Sequence, residues 1–227
     1  MKRDDVVSPR LEQLASDFPR YVKVFDADPA FNKPGQFDYH SATIKARQAL
    51  GSAAAAIDND TFIQALRETL AAWGIGARGS RMAPLPQFCD AIRAMRGATI
   101  SLDGLCIDDP SLDVEDTIRR LWTLIQLLDI VDNDTKLVAC SKTLHHLLPD
   151  LVVPVDRQYT RVFFRRYGNM FQYGQKRFFE QAYRDLVWLA REVNPVQYVG
   201  YGWQILRTKV LDNALIAFCK ENHLHLA

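Results

Sequence analysis

Hydrophobic positions recur along most of this chain at intervals of three and four residues, the spacing that gathers them on one face of an α-helix. In "DNDTFIQALRETLAAWG" (58–74), Phe62, Leu66, Leu70 and Trp73 follow polar capping residues and Gly74 closes the segment, predicting a helix. Phe88, Ile92 and Met95 predict another, ending at Gly97. From Asp113 onward, Val114, Ile118, Leu121, Trp122, Ile125 and Leu128 share a face. A shorter helix is expected over "SKTLHHLL" (141–148), stopped by Pro149. "DLVVPV" (150–155) is then extended, because the ring of Pro154 disfavours helix at Val153. Helix resumes after Asp156 and runs to Gly168, and two long helices, roughly 174–193 and 203–222, follow.

Between these lie "GIGARGSRMAPLP" (74–86), a loop with three glycines and two arginines, and "ATISLDGLCID" (98–108), whose Asp-Gly turn suggests a small hairpin or an irregular link. The stretch before residue 60, with "DADPAFNKPGQFDYH" (26–40), reads as a long loop between helices. The expected fold is therefore mainly α, a multi-helix globular fold forming a single helical domain over 1–227, with a two-lobed build left open.

Composition narrows the function classes. A chain of 227 residues, 48% hydrophobic and 11% aromatic, has ample material for a core. Its net charge of +1 provides no global pull toward nucleic acid or membrane, so any such affinity must be local. Between Ser141 and Asp185, eight Lys and Arg face four Asp and Glu, a local excess of +4. No apolar run approaches the ~18 residues of a membrane-spanning helix. The beginning "MKRDDVVSPR" lacks a secretory apolar stretch, and Cys89, Cys106, Cys140 and Cys219 are scattered without close pairing, so a cytoplasmic protein is expected. Cys140 with His145 and His146 lacks zinc-site spacing, and no metal is expected.

Asp156 is the residue of chemical interest. At a helix entrance, unpaired backbone N–H groups and the helix dipole favour an ionised carboxylate. A fixed anion of that kind stabilises the positive charge that develops on a sugar during glycosidic cleavage. Capping its own helix is the ordinary alternative. Arg157, Arg161 and Arg165 recur every four residues and would form one basic stripe suited to phosphates, with Val162, Phe163 and Tyr167 turned inward. Arg78, Ser80 and Arg81 of the glycine-rich loop are further candidate phosphate contacts. A base drawn out of a duplex needs aromatic walls and a few polar groups, for which Tyr39, Trp73, His145 and Trp203 are candidates, along with Phe37, Trp122 and Tyr201. His145 and His146 are otherwise read as packed or hydrogen-bonded histidines.

"VPVDRQYTRVF" (153–163), following "KLVACSK" (136–142) and a helix, resembles the helix–hairpin–helix superfamily of DNA glycosylases over about thirty residues. The resemblance implies a glycosylase-like fold with the site near 138–168, DNA as partner, and Asp156 as the catalytic carboxylate. It also implies removal of a damaged or modified base, in DNA repair or in defence against phage with modified DNA. Lys142 falls near the lysine that bifunctional members use as a Schiff-base nucleophile. The chain departs from the pattern in lacking the hairpin glycines and in a lysine-to-aspartate interval shorter by about one helical turn. Those departures favour a monofunctional enzyme in which water completes hydrolysis, with Lys142 secondary. Cys219 stands alone in its region, so no iron–sulfur cluster or other cofactor is expected. The alternative is a non-catalytic helical module that binds nucleic acid or protein through the Arg157, Arg161 and Arg165 face.

Overall fold

The computed structural model describes residues 8–31, 33–77, 80–164 and 173–224. It is mainly helical, with no strand among the described residues and one isolated bridge, between Met82 and Val131. The elements are α1 (Pro9–Ser16), α2 (Phe18–Ala27), α3 (Gln36–Ala49), α4 (Ala53–Ile57), α5 (Asp60–Ala72), α6 (Leu85–Ala94), α7 (Arg96–Ile100), α8 (Val114–Leu127), α9 (Leu137–Leu147), α10 (Thr160–Phe163), α11 (Gln175–Val193) and α12 (Arg207–Glu221).

Capping chemistry explains the boundaries read correctly from the sequence. The Asn59 side chain accepts a 2.8 Å bond from Phe62 N–H at the start of α5, and Asp113 accepts from Asp116 N–H at 3.0 Å to open α8. Past the end of α5, Gly74 sits at φ +82°, a left-handed turn that glycine adopts without strain.

Three expectations are corrected, and one open alternative is resolved. Among the described residues, the region before residue 60 is largely helical, from α1 to α4, and "QFDYH" opens α3 after a left-handed Gly35; what is not helical between α2 and α3 lies after Ala27 and before Gln36. Pro and Gly punctuate that stretch, but the segments flanking it carry enough buried apolar positions to pack as helices. Of the two readings open for "ATISLDGLCID", the irregular link is the one found, with residues 98–100 in α7 and no hairpin. Gly97 lies inside α7 rather than ending a helix, because α6 stops at Ala94. The helices expected directly after Asp156 and from Trp203 begin four residues later, at Thr160 and Arg207. The expected end at Gly168 lies outside the described residues, and α10 itself stops at Phe163.

Helix α12 runs through the middle of the molecule. Every residue from Thr208 to Cys219 is buried, and the helix packs against α2, α10 and α11. A helix covered on all sides should be apolar all round, yet α12 buries Thr208, Lys209, Asp212 and Asn213. Each finds a partner: Thr208 donates to Pro149 O at 2.5 Å, Lys209 pairs with Asp212, and Asn213 Nδ2 donates to Trp203 O and Gln204 Oε1. Around it Tyr21, Phe25 and Phe163 form part of one continuous core, with Tyr21 and Phe163 each 5.2–5.3 Å from the ring of Phe218 on α12 itself.

Candidate functional site

The extended segment 152–155 is pinned along α9 by two side chains. Ser141 Oγ accepts a 3.0 Å bond from Val155 N–H, and His145 Nδ1 lies 2.8 Å from Val152 O. These bonds deliver Asp156 to the end of a buried run, beside Lys142 on the preceding helix. Asp156 N–H donates to Thr160 Oγ1 at 2.9 Å, while Asp156 Oδ1 accepts from Gln158 N–H at 2.6 Å and Tyr159 N–H at 2.9 Å. This reciprocal turn occupies residues 157–159 and is why the helix starts late. With only four residues, α10 contributes little dipole, so the turn's N–H groups are what hold the carboxylate. The other oxygen, Oδ2, stands 4.0 Å from Lys142 Nζ.

Asp156 and Lys142 both line a cavity of about 650 Å³, within the range of small-ligand sites. Trp73 and Phe31 contribute aromatic wall, their rings nearly parallel at 6.5 Å, and Ser80, Arg157 and Arg161 lie on the lining too. Two loops are tied together at its edge by the bonds Ala83 N–H to Ile130 O and Asp132 N–H to Arg81 O. Lys33, Lys142, Arg157, Arg161 and Lys209 stand against Asp156 and Asp212, a formal excess of +3 among the described lining residues. Partial burial, and then the nearby Arg157 charge, lower the Arg161 pKa from its usual value. The expected helical stripe is corrected at its start, since Arg157 lies in the turn before the helix; Arg161 is in α10, and Arg165 lies outside the described residues. Val162 and Phe163 are buried as expected, whereas Tyr167 also lies outside the described residues.

The other candidates divide. Arg78 lies outside the described residues. Arg81 is exposed and engages Asp132 through its backbone, without lining the cavity. Among the expected base-pocket residues Trp73 lines the cavity; Tyr39, His145 and Trp203 do not. Tyr39 is half exposed on α3, Trp203 packs behind Phe31 at 5.1 Å, and His145 is fully buried. Phe37 stacks edge-on against Trp203, Trp122 packs on Phe179, and Tyr201 is almost wholly exposed on a turn.

His40, which the sequence did not single out, joins His145 and His146 in a buried cluster behind Trp73. His146 Nδ1 is 2.8 Å from Lys142 O, and a carbonyl only accepts, so this nitrogen carries the proton. His146 Nε2 therefore accepts from His40 Nδ1, 3.0 Å away. The same logic protonates His145 Nδ1 against Val152 O, leaving Nε2 of both His40 and His145 buried without a hydrogen-bond partner. Burial pushes all three pKa values down, His146 to about 4, so the cluster is neutral near pH 7.

Lys209 and Asp212 were also missed. Lys209 Nζ lies 4.3 Å from the Phe31 ring centroid, 5.3 Å from Trp203 and 5.5 Å from Trp73, an aromatic box closed by the Asp212 carboxylate. Burial pulls the Lys209 pKa down and the Asp212 pKa up, while each charge opposes the shift of the other. In the sequence they read as an ordinary pair of opposite charges three residues apart on a helix. Among the described residues, no three His, Cys, Asp or Glu side chains converge to hold a metal ion, and no helix is long and apolar enough to cross a membrane. No protein-family model, curated protein or solved structure matches the chain.

Proposed function

We propose that this chain is a monofunctional DNA glycosylase that hydrolyses the N-glycosidic bond of a damaged or modified base. One observation carries the reading: Asp156 combines a carboxylate fixed by two backbone N–H groups with a place on the lining of a cationic cavity of nucleotide size. As the bond to the base breaks, positive charge develops on the sugar, and the Asp156 carboxylate stabilises it. Its Oδ1 is held by two backbone N–H groups, so no reorientation is needed as the charge appears. Lys142 balances the carboxylate before reaction and orients its Oδ2 from 4.0 Å. Arg157 and Arg161 engage the flanking phosphates, and the Trp73 ring supports the extruded base. Water completes hydrolysis.

The test is incubation with a panel of base-modified DNAs, including heavily modified phage DNA, followed by detection of released free base. Release that vanishes in Asp156→Asn supports the reading. No release from any substrate, with DNA binding retained, leaves a non-catalytic nucleic-acid-binding module. That second reading draws on the same turn, because two backbone bonds to Oδ1 are also what a purely structural cap would make.

A further inference from the structure

The aromatic surface available to a base is already supplied with cations by the chain itself. Trp73 has the Lys209 ammonium 5.5 Å from its ring centroid and the Lys142 ammonium at the same distance. Phe31 is closer still to Lys209. An aromatic box of this kind is what a positively charged, N-alkylated base would use for cation–π attraction. Here two ammonium groups already stand within cation–π reach of the Trp73 ring, and a cationic base would meet two like charges.

The polar groups point the same way. The Lys142 side chain is nine-tenths buried, yet its Nζ makes only a long 3.5 Å contact to Trp73 O and stands 4.0 Å from Asp156, which leaves donor capacity toward the cavity it lines. An ammonium offers donors and accepts nothing. Carbonyl oxygens and ring nitrogens of a base can receive those donors, whereas exocyclic amino groups and alkylated ring nitrogens cannot.

We infer that the cavity selects a neutral base with a carbonyl-bearing edge, held by Lys142 against Trp73, and rejects cationic N-alkylated bases. The inference rests on the glycosylase reading only in taking the ligand to be a nucleobase, and it makes Lys142 a specificity-determining residue rather than a nucleophile.

The measurement is calorimetric titration of the full chain with two mononucleotides that share sugar and phosphate. One is 2′-deoxyinosine 5′-monophosphate, with a carbonyl at position 6. The other is 1-methyl-2′-deoxyadenosine 5′-monophosphate, with a cationic ring and an amino group there. The expected result is at least about tenfold tighter binding of the deoxyinosine nucleotide, with most of that preference lost in Lys142→Gln. Equal binding, tighter binding of the cationic ring, binding of neither at millimolar concentration, or an unchanged preference in Lys142→Gln overturns the inference. The outcome is separate from that of the base-release assay. Selective binding without release sinks the glycosylase reading alone, and release without this selectivity sinks the inference alone.

Discussion

Asp156 Oδ2 lies 4.0 Å from Lys142 Nζ, while Asp156 Oδ1 is held by the N–H groups of Gln158 and Tyr159. One carboxylate therefore does two jobs, and substitutions can separate them. Asn keeps an oxygen for the turn and loses the charge. Asp156→Asn is expected to lower base release by ~10²-fold or more with thermal stability little changed. Asp156→Ala should add a stability loss of about 1 kcal/mol by removing the cap. Retention of more than about a tenth of the activity in Asp156→Asn would remove this residue from the chemistry.

The pairing with Asp156 also bears on Lys142. In the proposed reading Lys142 balances and orients Asp156 and does not attack the sugar. Borohydride is expected to trap no covalent adduct between the protein and DNA containing an abasic site. An adduct that disappears in Lys142→Ala would show a lyase step.

Arg157 and Arg161 concentrate the cavity's cationic lining beside Asp156. Neutralising both should weaken DNA binding for every sequence alike and reduce the slope of log affinity against log salt by about two. Core-facing Val162 and Phe163, both 1% exposed, should instead lower stability when truncated, with no change of slope. A double arginine variant with wild-type affinity and slope would make this face an ordinary solvated surface.

The buried pair on α12 makes a third kind of prediction. Asp212→Ala leaves Lys209 uncompensated in the core and should cost about 3–5 kcal/mol in denaturant unfolding. Replacing both partners together, as Lys209→Met with Asp212→Leu, should recover most of that loss, because two apolar side chains need no partner. A double variant as unstable as the single one would contradict this account.

Acid should destabilise the fold through the histidines before the carboxylates titrate. In the unfolded chain each histidine binds a proton near pH 6.5, whereas burial lowers the folded value, for His146 to about 4. Between those values the unfolded state holds more protons, so stability falls as pH drops from 6.5 toward 4. His146 alone accounts for about 3 kcal/mol across that window. Nearby Lys142 and Lys209 disfavour its protonation further. Unfolding midpoints measured from pH 7.5 to 4.5 should decline, and His146→Gln should flatten the decline.

The sequence was most legible where a single helix determines its own boundaries. The caps at Asn59 and Asp113 and the apolar faces of α5 and α8 could be read directly, because those signals lie within a few residues of one another. Asp156 and Lys142 were visible for a similar reason, since a 14-residue separation spans one helix and one extended segment. The rest of the site depends on distant parts of the chain. Phe31, Trp73 and Lys209 meet only through tertiary packing, and neither a 3.6-residue period nor a local motif reports that meeting. Burial of charge in α12 was equally hidden, because Lys209 and Asp212 look like a surface pair until the surrounding helices cover them. The late start of α10 rested on the turn over residues 157–159, in which Asp156 Oδ1 accepts from Gln158 and Tyr159 N–H and Thr160 Oγ1 accepts from Asp156 N–H.

Arg10 on α1 donates to the carbonyls of Val162 at 2.8 Å and Phe163 at 3.0 Å, so the segment carrying the site is fastened by residues about 150 positions upstream. The cavity lining likewise spans Ala30 to Asp212. During synthesis, the N-terminal helices must therefore wait, partly uncovered, until α12 has been made and can dock against α2. Closing loops of that length before contacts can reward them slows folding, despite the locally favourable helices. Helical signal should consequently return early in refolding, with the fixed environment of Trp73 arriving in the slowest phase. A ribosome-bound fragment ending before Lys209 would hold Asp156 but no assembled pocket, so the cavity closes only once α12 has been made.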